Sequence, residues 1–438
     1  MEHLFYNQVE KYSFAEKRKK MMNLGGAYIA ELNWLALSSV KWRNQVLKIF
    51  VIIILLASGV ICNVDAQEIS SKRPDVVAIY YPHWHNYDHG SSWKGEGWTE
   101  WIEMADAKPK FPSHEQPKVC TWGDFDESDP KWAAKEIELA ADHGIDVFLY
   151  DWYWYSGVTT MEEALEQGFL KARNCNRMKF ALMWANHDRR DQFYPEFGKP
   201  RTIWFPIRHS SNNLTRVIDY CIENYFKEPN YWKVDGGLFF SIFQAVNFVK
   251  QLGGPEKTKA LFDKLNERLK EACLPPMHWS GMVSTPEGAE LLKRAGFSST
   301  SKYNVTSAGK AGPDFTEKYK DVMDAHVKHW DKMTSKSSLV NVPVVTMGWD
   351  VTPRCRQDVP WPYSHKEYPY VPVVVGNSPE RFKQLLSDAK EHIKKDPHKP
   401  FGVLINAWNE WTEGAYLLPE KRTGTKYLEA VKEVFEIK

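Results

Sequence analysis

The chain has 438 residues, with 57 Lys and Arg against 56 Asp and Glu and a formal net charge of +1. That length allows one large domain or two modest ones, and the charge balance excludes the strong basic bias of a nucleic-acid binder. Hydrophobic residues make up 43% and charged residues 26%, an ordinary globular composition. Aromatic residues reach 14%, with 19 Trp and 20 Tyr. Such rings either fill a large core or cover the apolar faces of sugars, and composition leaves both readings open.

Charge is unevenly spread. Residues 1–66 carry eight Lys and Arg against five Asp and Glu, so the remainder has a net charge of −2. A near-neutral remainder fits a neutral substrate. The most apolar run, Phe50–Ala57, has Lys41, Arg43 and Lys48 before it and Val64-Asp65-Ala66 after it. Positive charge, an apolar core at about 49–61 and small residues at a cleavage site are the order of a secretory signal, with cleavage expected after Ala66. The run is too short for a comfortable membrane span. Some forty residues precede it, which fits a start codon downstream of Met1 or a cytoplasmic extension before an anchor. Cys62 follows Gly59-Val60-Ile61, a poor lipidation context. The expectation is an exported protein with an N-terminal segment, 1–72, and a single catalytic domain, 73–438. Contact with membrane is expected only through the signal segment or an anchor.

From Pro74 onward short β-type runs alternate with helical ones. Strands are expected at 76–81, 145–150, 179–184, 236–243, 277–282, 297–303, 342–347 and 401–407. Asp129-Pro130 is a helix start with an N-cap and a first-turn proline. Other helices are expected near 214–225, 257–273, 286–294, 315–332, 379–394 and 424–434. Eight strand–helix units predict an α/β fold, a (β/α)8 TIM barrel with extended loops at the carboxyl face of the strands.

Polar and aromatic residues gather at that face, where barrel active sites form. The first strand ends in His83 and His85, and the loop after it carries Trp98, Glu100 and Trp101. The second ends in Asp151, Trp152 and Tyr153, and the third in Trp184 and Asn186. The seventh ends in Trp349, Asp350 and Arg354, and the eighth in Asn409, Glu410, Trp411 and Glu413. These are the candidate substrate-binding residues, with Glu410 and Glu413 as the catalytic carboxylates. The long loop 86–128 is expected to fold over the face. Glycosidic cleavage needs an acid and a second carboxylate. On a tight turn, positions three apart share a face. Trp408 and Trp411 beside the pair would desolvate an acid and raise its pKa. Capping of the following segment is the bland alternative for both glutamates, and Asp151, Asp188 and Asp350 are rival carboxylates.

His83-x-His85 could begin a metal site, with His89, His114 and His187 in nearby loops, but no later strand supplies a matching set. The six cysteines, Cys62, Cys120, Cys175, Cys221, Cys273 and Cys355, contain no C-x-x-C pair; buried thiols or a single bridge are expected. No Gly-rich phosphate loop and no G-x-S-x-G elbow occurs. No metal and no cofactor is expected.

Tyr80-Tyr81-Pro82-His83-Trp84-His85, Gly97-Trp98-Thr99-Glu100-Trp101 and Phe111-Pro112-Ser113-His114 resemble the opening of the WbsX-like domain family. Trp349-Asp350-Val351-Thr352-Pro353-Arg354 and Asn406–Leu417 resemble its ending. The resemblance runs from about 75 to 435 and is specific at the two ends. That family is similar to glycoside hydrolase family 99, the endo-acting α-mannosidases and α-mannanases. The resemblance implies a retaining hydrolase of a polysaccharide or glycan. Glu413 would be its acid, and Glu410 would take a proton from the sugar 2-hydroxyl on the way to an anhydro-sugar intermediate. The run Trp184-Ala185-Asn186-His187-Asp188 departs from the family pattern of Trp-Ala-Asn-Glu-Asn-Trp. Members are also named as polysaccharide-biosynthesis proteins or glycosyltransferases. A transferase and a non-catalytic carbohydrate-binding barrel therefore remain the alternatives.

Overall fold

A computed structural model describes residues 73–86, 95–191, 193–364 and 366–435. The signal-like run, Cys62 and His89 lie outside the described residues.

Each expected strand position carries a strand. In chain order they are β1 (Asp75–Tyr80), β2 (Val147–Tyr155), β3 (Lys179–Trp184), β4 (Gly237–Ile242), β5 (Met277–Met282), β6 (Ser299–Ser301), β7 (Val340–Asn341), β8 (Val344–Thr346) and β9 (Gly402–Asn406). All pair in parallel, in the order β7-β6-β5-β4-β3-β2-β1-β9-β8. β2 is buried along its whole length, as a parallel sheet covered on both faces requires. It also runs past the expected end, so Asp151, Trp152 and Tyr153 lie within the strand rather than in a loop.

The closed ring of eight strands expected from the sequence is corrected to a curled, open path of nine. The seventh expected strand is split, because Pro343 has no N–H to donate and interrupts the ladder. The two pieces pair with different neighbours. Val342 N–H donates to Thr300 O (2.8 Å) on the β6 side, and Leu404 N–H donates to Pro343 O (2.9 Å) on the β9 side. One stretch of chain thus carries both ends of the path.

Helices cover the sheet: α1 (Glu100–Asp106), α2 (Pro130–Asp142), α3 (Ser211–Asn224), α4 (Ala245–Gln251), α5 (Pro255–Glu271), α6 (Pro286–Arg294), α7 (Tyr319–Lys336), α8 (Pro379–Lys395) and α9 (Lys426–Phe435). The start of α2 is capped as the sequence suggests, with Asp129 Oδ1 accepting from Lys131 N–H. Thr285-Pro286 and Ser378-Pro379 use the same device at α6 and α8. The expectation that every strand is followed by a full helix fails after β2. There the chain makes an antiparallel return (Val158–Thr160) and short helical turns at Ala164–Gly168, Phe169–Lys171 and Cys175–Arg177. Cys120, Cys175, Cys221, Cys273 and Cys355 are free thiols. Among the described residues no helix is long and apolar enough to cross a membrane.

Candidate active site

The segment after β9 forms a small hairpin. Asn409–Glu410 pairs antiparallel with Ala415–Tyr416, and Trp411–Glu413 makes a single 3-10 turn between them. With three residues per turn, Glu410 and Glu413 emerge on one side. Gly414 closes the turn at φ +70°, and a Cβ there would lie 2.8 Å from Asp350 N. Gly348 allows the reciprocal approach, since its Cβ would meet Gly414 O at 2.6 Å. Two bare backbones are what let the β8 and β9 loops touch, and Asp350 N–H then donates to Glu413 O at 2.7 Å. On the other flank, the Asn409 side chain bonds both ways to Tyr81: Tyr81 N–H donates to its Oδ1 (2.7 Å) and its Nδ2 donates to Tyr81 O (2.9 Å). Asn409 therefore extends the β1 ladder in side-chain form and fixes the entry to Glu410.

Arg354 is the hub. Its Nη1 donates to Glu413 Oε1 (2.6 Å), its Nη2 to Glu410 Oε2 (3.1 Å) and its Nε to Thr412 Oγ1 (2.8 Å). Glu100 Oε2 lies 3.5 Å from Nη2, so one guanidinium faces three carboxylates. Tyr368 OH donates to Glu413 Oε1 at 2.7 Å. Tyr303 OH lies between two carboxylates, 2.8 Å from Asp151 Oδ2 and 3.0 Å from Glu410 Oε1.

Burial and mutual repulsion push the Glu410 carboxyl well above the usual carboxylate range, with Arg354 opposing. Burial also raises Glu413, where Arg354 and Tyr368 hold it back. Asp151 is pushed up by burial as well. Glu100 behaves oppositely. Burial alone would raise it, but Arg354, His83 and Thr412 override that and hold it at about 2. Glu410 and Glu413 thus form a pair that readily keeps one proton, beside a Glu100 that is ionised near neutral pH.

The pair opens into a cavity of about 360 Å³ at the carboxyl end of the sheet. Of the residues expected there, Glu410, Glu413, Asp151, Tyr153, Trp349 and Arg354 line it. Other expected residues are packed behind the wall, and their contacts say why. Glu100 accepts from Tyr81 OH (2.6 Å) and Thr412 Oγ1 (2.5 Å) and from His83. Arg189 donates to His83 Nε2 (3.1 Å), so the ring is neutral with its proton on Nδ1, and burial lowers it to about 4. His85 lies between Glu127 (2.9 Å) and Glu163 (3.2 Å), which outweigh the lowering effect of burial and raise it to about 9. The two histidines part company, and among the described residues no group of three or more His, Cys, Asp or Glu is placed to hold a metal.

Asp350 is saturated by His114 (2.9 Å), Gln116 (2.7 Å) and Thr352, and burial's upward push is overcome by His114 and Thr352 to leave it at about 2. Asn186 spends its amide on Gln244 N–H (2.6 Å) and His209 (2.9 Å). Most of the candidate tryptophans pack against neighbouring side chains. Trp411 stacks on Tyr416 (3.9 Å), Trp152 stacks on Trp154 (5.8 Å), and Trp98 donates to Glu103 (3.0 Å). Trp101 packs on Trp84 (4.4 Å), and Trp184 is fully buried against Phe248 and His209. Trp349 is the candidate tryptophan that lines the cavity. The described part of the loop after β1, from residue 95, brings His114 and Gln116 to Asp350 and Glu100 to Thr412, and none of the three lines the cavity.

Sequence reasoning missed Tyr303, Tyr368 and Arg201, which also line the cavity. Tyr303-Asn304 follows β6 as a polar strand end and carried a usable signal. Tyr368 and Arg201 sit in irregular loops, where no periodicity points to them.

The family model described as "Glycosyltransferase WbsX" matches residues 76–431. Two strains of Xanthomonas campestris pv. campestris have a protein, "Uncharacterized protein WxcX", 25% identical over 372 residues; the match covers 82% of this chain and 49% of that protein. The chain spans about half the length of these curated relatives. Among solved structures, the fold is similar to a GH99 endo-alpha-mannosidase from Bacteroides thetaiotaomicron. The TM-score is 0.53 at 14% identity, covering 82% of this chain and 95% of that one. A protein titled "Glycoside hydrolase-like protein" gives TM-score 0.53 at 13% identity, covering 84% and 95%. The match over 76–431 places the chain in the WbsX family of carbohydrate-active enzymes.

Proposed function

We propose that the chain is a retaining glycoside hydrolase that cleaves an internal α-linked bond, such as an α-mannosidic one, in a polysaccharide or glycan. The observation that carries this is the Glu410–Glu413 pair on one face of a turn, clamped by Arg354 and open to a cavity. One proton on two carboxyls is what a reaction with one acid and one base requires.

In the reaction the resemblance implies, Glu410 takes the proton of the sugar 2-hydroxyl, whose oxygen attacks the anomeric carbon. The bond to the leaving oxygen breaks, and that oxygen takes the proton of Glu413. Water then gives a proton to Glu413 and attacks the anomeric carbon, the bond to the 2-oxygen breaks, and Glu410 returns the proton to that oxygen. Arg354 and Tyr368 both donate to Glu413, which favours its anion. Glu413 must therefore take the pair's proton as the sugar enters. Asp151 lines this cavity, and among the described residues its Oδ1 has no hydrogen-bond partner, which leaves it available to a sugar hydroxyl. The like-folded endo-α-mannosidase supports the substrate class, and the signal-like run at Phe50–Ala57 supports action outside the cytoplasm.

The family description favours a second reading, a glycosyltransferase. The full chain, incubated with α-mannans, other α-linked glycans and bacterial polysaccharides without nucleotide sugars, separates the two by product mass. Release of shorter glycans, abolished in Glu410→Gln and Glu413→Gln, is expected. Turnover that requires a nucleotide sugar would refute the hydrolase, and full activity in both variants would move the chemistry elsewhere.

A further inference from the structure

The cavity has a cationic side that the acid–base pair does not use. Arg201 lines it, and among the described residues its guanidinium makes no hydrogen bond and no ion pair; its Nε is buried without a partner. The guanidinium lies over the Tyr368 ring, 5.1 Å from its centre. Tyr368 OH is the group that donates to Glu413, so Arg201 stands one tyrosine ring from that carboxyl. Arg190, also on the cavity wall, is close enough to repel Arg201. Arg190 is paired with Asp188 (3.2 Å), and Asp188 is itself held by Ile207 N–H (2.9 Å). The charged groups that bear on Arg201 are Arg190, Glu367 and Asp191, with Tyr368, and none of them is bonded to it. Arg354 shows the contrast: it is buried with every face occupied, as a desolvated guanidinium should be. A half-buried guanidinium left without an acceptor on the wall of a substrate cavity is a site for an oxyanion, and the planar fork suits a carboxylate or sulfate in two-point contact.

We infer that Arg201, assisted by Arg190, binds an acidic substituent, a carboxylate or sulfate, on the sugar next to the scissile bond. The inference rests on the hydrolase reading for the word "sugar" and on geometry for the anion. Glu410 has Asp151 and Tyr303 on its side, whereas Arg201 lies on the Glu413 side, where the leaving group is protonated. The charged residue is therefore the sugar on the leaving side. A neutral mannan would leave Arg201 desolvated and unpaired.

The test is calorimetric titration of the full chain with glucose, glucuronate, glucose 6-sulfate and UDP, at low and high salt. Glucuronate or glucose 6-sulfate should bind at least about tenfold tighter than glucose, with the better of the two naming the anion. That preference should weaken with salt, vanish in Arg201→Gln and survive in part in Arg201→Lys, whose retained charge controls for loss of folding. It should persist in Glu413→Gln, so that binding is read separately from turnover. Equal binding of glucose and both acidic sugars, no binding of any of them, or a preference unchanged in Arg201→Gln overturns the assignment. Preference for UDP over both acidic sugars also overturns it, and would sink the hydrolase reading as well. An acidic-sugar preference in a protein that cleaves no glycan would refute the hydrolase alone.

Discussion

Glu100→Gln tests the electrostatic logic of the site without touching the reacting pair. Glu100 meets the same Arg354 guanidinium as Glu410 and Glu413, and its charge raises both of them. Two charges roughly 6 Å apart at an effective dielectric of about 20 interact by about 3 kcal/mol, an upper bound of about two pH units on each limb. Removing the charge frees more of Arg354 to stabilise the anions of the pair, so both limbs of the pH–activity profile move toward acid, by about one unit. Stability responds separately. Glu100 has a folded pKa of about 2 against an ordinary 4.5, so its contribution is present above pH 4.5 and is lost as pH falls toward 2. The difference corresponds to about 3 kcal/mol at pH 7 and to less than half of that at pH 3. Urea unfolding at the two pH values, beside pH profiles of kcat/KM, checks both halves. A profile that stays put or moves to alkali would refute the account of the hub, and an equal stability loss at both pH values would refute the depressed Glu100.

Tyr303→Phe removes the hydroxyl between Asp151 and Glu410; a hydrogen bond to a charged group is worth about 1.5–3 kcal/mol, so kcat/KM should fall about 10- to 100-fold with little change in Tm. Gly414→Ala forces a Cβ to within 2.8 Å of Asp350 N at a positive φ, and should cost about 2 kcal/mol or more in urea unfolding and most of the activity, since Glu413 moves with it. Glu136, which accepts from Tyr80 OH (3.0 Å) and Trp408 Nε1 (2.8 Å), is raised by burial and by Glu127 to about 8. Its folded pKa lies above the ordinary 4.5, so wild-type stability falls as pH rises from about 4.5 to 8, by about 4 kcal/mol. Glu136→Gln should flatten that slope in unfolding measured between pH 5 and 8.5.

The fold was legible because its signals are local. The runs at 179–184 and 277–282 match β3 and β5 residue for residue, since short β-type runs there alternate with helical ones. The open sheet was not legible, because one proline decides it. Val342-Pro343-Val344 reads as a strand by composition, and its failure as a ladder shows only when neighbours are in place. The turn bearing Glu410 and Glu413 could be read from spacing. The roles of the aromatic residues could not, because a tryptophan at a strand end has the same one-dimensional signature whether it faces a cavity or a neighbouring ring.

That difference corrects the cause assigned to the pair's chemistry. Trp408 and Trp411 flank the glutamates in sequence, yet Trp408 turns its indole to Glu136 and Trp411 lies on Tyr416. Desolvation of the pair comes from the enclosing walls as a whole, and its ordering comes from charge. Arg354, on a different loop, faces Glu100, Glu410 and Glu413 at once and leaves them in different states, with Glu100 ionised and the other two raised. One cation cannot neutralise three buried carboxylates, so the protein settles the excess by protonation, and it does so on the two groups that open to the cavity. Glu100 is denied a proton by Arg354, with His83 and Thr412 donating to it, and His83 can donate from Nδ1 because Arg189 occupies Nε2. The acid–base pair therefore depends on a chain of contacts running from β1 through α1 to the β8 loop, none of which touches the substrate cavity through Glu100 or His83 themselves.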